Sequence, residues 1–309
     1  MKTAMNTGTV GSIAGRLRLL SRSVTTLHIE GSSVRLLAVR GKRVTEWGTE
    51  PLEPGLVRDG VVADPEAVAE HIKSLLATHH AERGNLVAGL TGQRCVPRII
   101  DFPEMDLRLL KEAVPREMKR EMPVPLEEIH LSWQVIDSED GHLRLFALGV
   151  SRDVLAPQVE TITLAGGKLR SVDIKPLALV RAVGRSEALI ADLEPESLDI
   201  IVVRGGIPAT IRTVSLQREI DTTEDKVRRL GEELARAVKF YNDTHPEEPL
   251  QPSTPAYLTG SLAEAAASSG VAEALIGYPV EPLAPPLEYP AELPVAAFMV
   301  NIGLALKER

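Results

Sequence analysis

The chain has almost no cysteine and few aromatic side chains. Its 309 residues include one cysteine, Cys95, and only 3% Phe, Trp and Tyr. A single cysteine excludes an intrachain disulfide and a cysteine-cluster metal site, and it suits a reducing compartment. With 44% hydrophobic residues, the core must consist mostly of Leu, Val, Ile and Ala, and the length allows one large domain or two ordinary ones.

Long apolar runs and an excess of positive charge are also absent. No apolar run approaches the roughly 20 residues that cross a bilayer, and none resembles the apolar part of a signal peptide. We therefore expect a soluble, cytoplasmic protein. The net charge of −8 argues against general nucleic-acid binding, which needs a basic surface.

The sequence motifs of common catalytic sites are missing as well. There is no glycine-rich loop followed by Lys-Ser or Lys-Thr, and no Gly-x-Ser-x-Gly turn. His79 and His80 are neighbours on a predicted helix, so they point in different directions and no third metal ligand is evident. Cys95 lies in a predicted strand, and we expect an unreactive thiol. We predict no catalytic residue and no metal site.

The N-terminal segment differs from the rest in charge. Residues 1–29 contain four basic side chains and no acidic one. The simplest interpretation is a basic flexible leader at 1–23. The alternative is a short interfacial helix on anionic lipid, since Ile13, Leu17 and Leu20 share one helical stripe. At most, therefore, this segment makes a peripheral membrane contact.

The main positive feature of the sequence is an internal duplication. Three apolar strands near 25–49 and three more near 187–214 each form a predicted antiparallel meander, and helices follow each meander. In both meanders a short polar turn follows the first strand. The repeat distance of about 160 residues indicates two similar α/β units.

An ordered series of segments resembles the type IV pilus assembly protein PilM family and, more distantly, the cell-division protein FtsA. The series covers about 25–309 and consists of LHIEGSSVRLLAV (27–39), EPLEPGLVRDGVVADPEAVAEHIKSLL (50–76), LTGQRCVPRIIDFPEMDLRLLKEAVPREMKREMPVPLEEIHLSWQVID (90–137), GGKLRSVDIKPLALVRAV (166–183), IIVVRGGIPATIRTVSL (200–216), ARAVKFYND (235–243), YLTGS (257–261) and AAFMVNIGLALKE (296–308).

The resemblance implies an α/β fold of the duplicated actin-like (ribonuclease H-like) type, with two lobes and a small inserted α+β subdomain. Only about eight residues, Ser215–Thr222, follow the second meander where the family has tens, so we expect a shortened second lobe. The implied boundaries are a leader at 1–23, a first lobe at 24–62 and 169–185, an inserted subdomain at 63–168, a reduced second lobe at 186–294, and a C-terminal helix at 295–309 that packs on the first lobe.

In the family, the first phosphate turn begins with an aspartate that helps to hold hydrated Mg²⁺ and a glycine that lets the backbone approach the phosphate. His28 stands at the aspartate position of this chain, and Glu30 stands at the glycine position. The retained small residues and cation of this turn are Gly31, Ser32, Ser33 and Arg35.

The second turn shows the same change. Asp192 keeps the aspartate, but Glu194 replaces the glycine, and Ser197 is a small residue that remains. In the third motif, where the family has Leu-Thr-Gly-Gly-Gly, only the first glycine, Gly260, is present, and Ser261 follows it.

These departures indicate remnant nucleotide loops that no longer function. A carboxylate about 4 Å from a phosphate charge repels it by roughly 4 kcal/mol at a surface-like dielectric, and each 1.4 kcal/mol is about tenfold in affinity. We therefore predict no cofactor and no enzymatic activity. The alternative is a nucleotide-regulated actin-like ATPase that still binds ATP with Mg through Asp192, Gly260 and Arg35. A third, weaker hypothesis is self-association into filaments.

The resemblance also implies a partner. Family members bind the short cytoplasmic N-terminal peptide of an inner-membrane PilN protein, which would place this chain at the inner face of the cytoplasmic membrane as a scaffold for a pilus or a related secretion or DNA-uptake machine. An apolar, adaptable cluster suits a peptide groove: Met118, Met122, Pro123 and Pro125. The alternative is that this cluster caps the core of the inserted subdomain.

Overall fold

The computed structural model describes residues 23–121, 125–216, 222–268 and 277–307. Of the predicted leader at 1–23, only Ser23 is among them, and it begins the first strand. Within these ranges, no helix is long and apolar enough to cross a membrane.

The first lobe begins with three antiparallel strands, a small ribbon, a helix and a further strand: β1 (Ser23–Ile29), β2 (Ser33–Arg40), β3 (Arg43–Pro51), β4 (Val57–Arg58), β5 (Val61–Val62), α1 (Pro65–Thr78) and β6 (Leu86–Leu90). β6 lies parallel to β1, with Ala88 opposite Leu27. β1 and β2 are buried along nearly their whole length, because helices cover both faces of the sheet. Asp64 caps α1 by accepting a hydrogen bond from the Ala67 N–H.

A separate antiparallel sheet follows, and its elements are β7 (Cys95–Pro103), α2 (Leu107–Glu121), a short 3₁₀ helix (Leu126–Glu128), β8 (Ile129–Glu139) and β9 (His142–Ser151). The strand order is β7-β9-β8. α2 packs on one face through Leu110, Val114 and Met118, which are fully buried. This sheet and helix therefore have a core of their own.

The chain then returns to the first lobe through α3 (Arg152–Leu164), β10 (Leu169–Ile174) and α4 (Lys175–Val183). β10 adds to the first sheet, whose order is β10-β6-β1-β2-β3. The predicted insertion at 63–168 is therefore too wide. α1 and β6 share a core with β1 and β2, and Ile162 of α3 joins it, so the subdomain with its own sheet and core spans Cys95–Ser151.

The second lobe repeats this plan with β11 (Ala188–Leu193), β12 (Ser197–Arg204), β13 (Ile207–Ser215), α5 (Thr223–Thr244), β14 (Ala256–Thr259) and α6 (Ala263–Ser268). β11 is antiparallel to β12 and parallel to β14, as β1 is to β2 and to β6. Its sheet, of order β13-β12-β11-β14, has one strand fewer than that of the first lobe in the parts that the structure describes.

The last helix, α7 (Val295–Lys307), packs against α4 between the two sheets. One continuous core contains Leu37 and Val87 of the first sheet, Ile190 and Ile201 of the second, and Phe298 of α7. α7 therefore packs on the first lobe, as expected, and contacts the second lobe as well. This shared core holds the lobes together.

The crossing of α4 and α7 depends on one glycine. A Cβ atom added to Gly303 would lie 1.8 Å from the carbonyl oxygen of Ala178, which is backbone and cannot turn aside. Gly303→Ala should therefore lower the free energy of unfolding by about 1–3 kcal/mol, as overpacking does, and urea denaturation measures this. Gly84→Ala is the control, since nothing lies within 4 Å of its added Cβ. Equal stability of the two variants would contradict this packing.

Candidate functional site

The two turns that resemble phosphate loops have the same backbone structure. The Glu30 N–H donates to the Ser33 carbonyl at 2.9 Å, and the Glu194 N–H donates to the Ser197 carbonyl at 2.9 Å. Each turn also accepts one bond from the end of its meander: Leu52 N–H to Ser32 at 2.9 Å, and Leu216 N–H to Glu196 at 2.8 Å. The duplication therefore extends to individual hydrogen bonds.

The two turns meet across the boundary between the lobes. A Cβ added to Gly31 would lie 1.9 Å from Oε2 of Glu196, so the side chain of the second turn rests against the backbone of the first. Gly260, which comes from the third motif, has a φ of +95°, and its added Cβ would lie 2.4 Å from the Leu193 carbonyl oxygen. The three motifs therefore converge at one place.

Arg35 crosses this boundary to Glu194. Its Nη1 and Nη2 donate to Oε1 and Oε2 of Glu194 at 2.6 and 2.7 Å, which is a bidentate pair, and both side chains are buried. Glu194 also accepts from the Ser261 N–H at 3.2 Å and the Ser261 hydroxyl at 2.7 Å. Glu194, which stands at the second glycine position, thus accepts hydrogen bonds from the Arg35 guanidinium and from the N–H and hydroxyl of Ser261.

Lys175, at the first position of α4, makes the second side-chain connection between the lobes. Its Nζ lies 2.6 Å from Glu30 of the first turn, 2.9 Å from Asp192 and 2.8 Å from Asp199. The lysine side chain is completely buried. It also lies 3.3 Å from the Ser197 hydroxyl, while Glu30 contacts His28 Nε2 at 2.9 Å. We call the following set the interlobe ion cluster: His28, Glu30, Arg35, Lys175, Asp192, Glu194, Ser197 and Asp199.

Burial disfavours the charged forms of Glu30, Lys175 and Asp199, and the neighbouring charges offset this to different degrees. Burial opposes ionisation of Glu30, but Lys175 and His28 hold the pKa of its carboxyl well below the usual range. Burial also acts against the ammonium, yet Asp192, Asp199 and Glu30 raise the pKa of Lys175 well above its usual value. Burial raises the pKa of Asp199, with a further contribution from Asp192, and Lys175 offsets this only in part.

These residues do not fit a nucleotide phosphate with its metal ion. Both cations of the cluster, Lys175 and Arg35, already contact carboxylates at 2.6–2.9 Å. Four carboxylates, of which Glu30 and Glu194 are fixed in the turns themselves, would face an incoming polyphosphate. Each repulsion at about 4 Å is worth roughly 4 kcal/mol at a surface-like dielectric. The cluster is chemically suited to join the two lobes.

The structure brings together most of the residues predicted for the nucleotide loops: His28, Glu30, Gly31, Ser33, Arg35, Asp192, Glu194, Ser197, Gly260 and Ser261. Ser32 lies in the same turn and contributes its carbonyl. Sequence reasoning missed Lys175 and Asp199. Each is a single charge within an apolar run, and a buried charge requires a partner, so this was the available signal.

The predicted peptide-binding cluster is only partly described. Met118 is fully buried in the core of the inserted subdomain, so it belongs to that core and does not face a partner. Pro125 is exposed at the start of the 3₁₀ helix, and Met122 and Pro123 lie outside the described residues. Burial raises the pKa of the Cys95 thiol to about 12, which fits an unreactive thiol.

A cleft of about 720 Å³ lies between the inserted subdomain and the first lobe. Two edge strands line it, β8 of the inserted sheet and β10 of the first sheet. Its apolar wall includes Phe146 and Leu148 of β9, Leu155 and Val159 of α3, Val172 of β10 and Leu177 of α4. Sequence reasoning did not identify the residues that line this cleft, because they come from elements that are far apart in the chain.

Comparisons with known proteins agree with this architecture. The family model described as type IV pilus assembly protein PilM matches residues 27–248. A solved PilM–PilN type IV pilus biogenesis complex contains a chain that is 24% identical, with a TM-score of 0.78 over 92% of this chain and 98% of that one. No curated protein matches the sequence.

Two further solved structures have the same fold at lower similarity. The ethanolamine utilization protein EutJ of Carboxydothermus hydrogenoformans is 11% identical, with a TM-score of 0.55 over 92% of this chain and 89% of that one. The cytoplasmic domain of EpsL, from the type II secretion system of Vibrio cholerae, is 13% identical, with a TM-score of 0.52 over 92% and 95%. The predicted two-lobed actin-like fold is confirmed.

The pKa of Glu30 is lowered and that of Asp199 is raised, so replacing each carboxyl by its neutral amide should change the free energy of unfolding by different amounts. A carboxyl with a lowered pKa stabilises the fold above its unfolded value, here 4.5, and that contribution is lost as the pH falls. Glu30→Gln should therefore lower the free energy of unfolding by about 3 kcal/mol at pH 7, as breaking a buried pair does, and by less below about pH 4.5.

Asp199 has a raised pKa, so the folded protein keeps this proton to a higher pH than the unfolded chain does. The contribution of Asp199 to the free energy of unfolding therefore falls as the pH rises from 3.8 through the raised pKa. Asp199→Asn should therefore cost clearly less than Glu30→Gln at neutral pH. Urea denaturation of both variants from about pH 4 to 8 measures the difference. A larger loss for Asp199→Asn at pH 7 would contradict this assignment of charge.

Proposed function

This chain belongs to the type IV pilus assembly protein PilM family, and from that premise we propose that it is a non-enzymatic scaffold. It binds the short N-terminal peptide of a PilN-like inner-membrane protein and lies at the cytoplasmic face of that membrane through this partner. The family assignment rests on a match to residues 27–248. The observation that carries the peptide-binding role is the cleft between β8 and β10.

The cleft suits an extended peptide because two sheet edges line it. β8 is an edge strand of its sheet, and β10 is an edge strand of the first-lobe sheet. An extended peptide can add to such an edge through main-chain hydrogen bonds, while pockets beside the edge take alternate side chains. The wall residues Leu148, Leu155 and Val172 are partly buried apolar side chains, so we expect apolar anchors in the peptide.

The likeness to a PilM–PilN complex supports the choice of partner. A peptide at the N-terminus of a single-pass membrane protein is short and carries no fold of its own, so it can enter a cleft of about 720 Å³ in extended form. A scaffold that binds in this way needs no nucleotide. The occupied state of Arg35 and Lys175 supports the non-enzymatic part of the proposal.

Val159→Glu should weaken binding of the partner's N-terminal peptide by about tenfold or more, which corresponds to roughly 1.4 kcal/mol. Val159 lines the cleft and is 36% exposed, so the glutamate places a charge on the apolar wall without entering the core. Isothermal titration calorimetry with the synthetic peptide measures the dissociation constant.

Leu164→Glu is the matched control. Leu164 lies on the same helix and is 41% exposed, but it is not part of the cleft, so this variant should bind like the wild type. Equal weakening by both variants would place the peptide elsewhere. No binding of the peptide to the wild type at high micromolar concentration would overturn the proposal.

The competing function, a nucleotide-regulated ATPase, makes a different prediction. We expect no change in the thermal unfolding temperature at millimolar Mg-ATP, because a ligand stabilises a fold only if the folded state binds it. Equal MgCl₂ without nucleotide is the control. A concentration-dependent rise with Mg-ATP alone would show nucleotide binding and favour the ATPase.

A further inference from the structure

Three carboxylates converge on a single atom in the middle of the molecule. Glu30 comes from the first lobe, whereas Asp192 and Asp199 come from β11 and β12 of the second lobe. Their oxygens lie 2.6, 2.9 and 2.8 Å from Nζ of Lys175. All three carboxylates are almost completely buried, and the ammonium is the only cation within contact distance of Asp199 among the described residues.

Lys175 lies at the start of α4, which is an unfavourable position for a cation. The N-terminal end of a helix carries partial positive charge and disfavours a cation, so the helix alone would not select lysine there. Burial also disfavours the ammonium. The surrounding carboxylates supply the compensating interaction, and two of the three belong to the other lobe. The ammonium therefore acts as a shared counter-ion for both lobes.

We propose that Lys175 is a built-in cation that takes the place of a bound metal ion and keeps the two lobes closed without any bound ligand, so that only its removal would let the carboxylates around it hold a divalent cation. Several carboxylate oxygens directed at one point are the ligand type that Ca²⁺ and Mg²⁺ prefer. In the wild type the tethered ammonium occupies that point, so free metal ions have no access. This inference goes beyond the proposed peptide binding, and its failure would leave that proposal intact.

Arg35 provides an internal comparison. It also joins the lobes through a buried ion pair, but it contacts one carboxylate, Glu194, together with the carbonyl of Ala297. Removing the guanidinium would leave a single carboxylate that keeps its bonds from Ser261. One carboxylate binds a divalent cation far more weakly than three do. The two variants should therefore differ in their response to metal.

The test compares Lys175→Ala with Arg35→Ala in the full chain. Both should lower the thermal unfolding temperature by about 6 °C or more, because each leaves at least one buried carboxylate without its cation. About 10 mM CaCl₂ should raise the unfolding temperature of Lys175→Ala by about 3 °C or more, as binding with a dissociation constant near 1 mM would. The wild type and Arg35→Ala should not respond beyond the effect of NaCl at equal ionic strength.

A double variant identifies the ligands. Adding Asp192→Asn to Lys175→Ala removes one carboxylate, so the rescue by CaCl₂ should be lost. If Lys175→Ala is unfolded without metal, far-ultraviolet circular dichroism during a CaCl₂ titration gives the same information as recovered helix signal. Failure of CaCl₂, MgCl₂ and MnCl₂ to stabilise or refold Lys175→Ala would overturn the proposal. So would equal rescue of Arg35→Ala.

Discussion

The ammonium group of Lys175 can remain buried only while carboxylates of both lobes surround it. Moving the second lobe away would separate it from Asp192 and Asp199 and leave these charges poorly solvated. Arg35 and Glu194 impose the same condition at a second point. Buried ion pairs are weak evidence for net stability, since desolvation offsets much of their attraction. The apolar core around α4 and α7 supplies the stabilisation, and the ion pairs select one relative position of the lobes.

The two turns keep the same backbone structure although each has a glutamate where the family has a glycine. Neither Glu30 nor Glu194 has a positive φ, so a side chain at these positions strains nothing. The same N–H to carbonyl bond closes both turns. A glutamate therefore fits where the family has glycine, and its carboxylate lies where it meets a cation of the same chain. The change in both turns is consistent with one electrostatic arrangement that involves both lobes.

The sequence predicted the lobes well because their signals are local. The apolar strands and the turns between them depend on neighbouring residues. The pairing of Glu30 and Glu194 with cations could not be predicted in this way, because Lys175 lies 145 residues from Glu30, and Arg35 lies 159 from Glu194. The limits of the insertion were wrong for a related reason, since β6 reads as a strand whichever sheet it joins.

The interlobe ion cluster and the cleft between β8 and β10 meet at the beginning of α4. Ile174 and Leu177 line the cleft, while Lys175, between them in the chain, points into the cluster. A shift of this helix start would therefore move the cleft wall and strain the ion pairs at the same time. In a protein that used nucleotide to set the position of its lobes, the cleft would depend on the nucleotide state. In this chain Lys175 and Arg35 join the two lobes through buried ion pairs, so the proposed peptide would meet a cleft wall whose position the chain's own side chains help to fix.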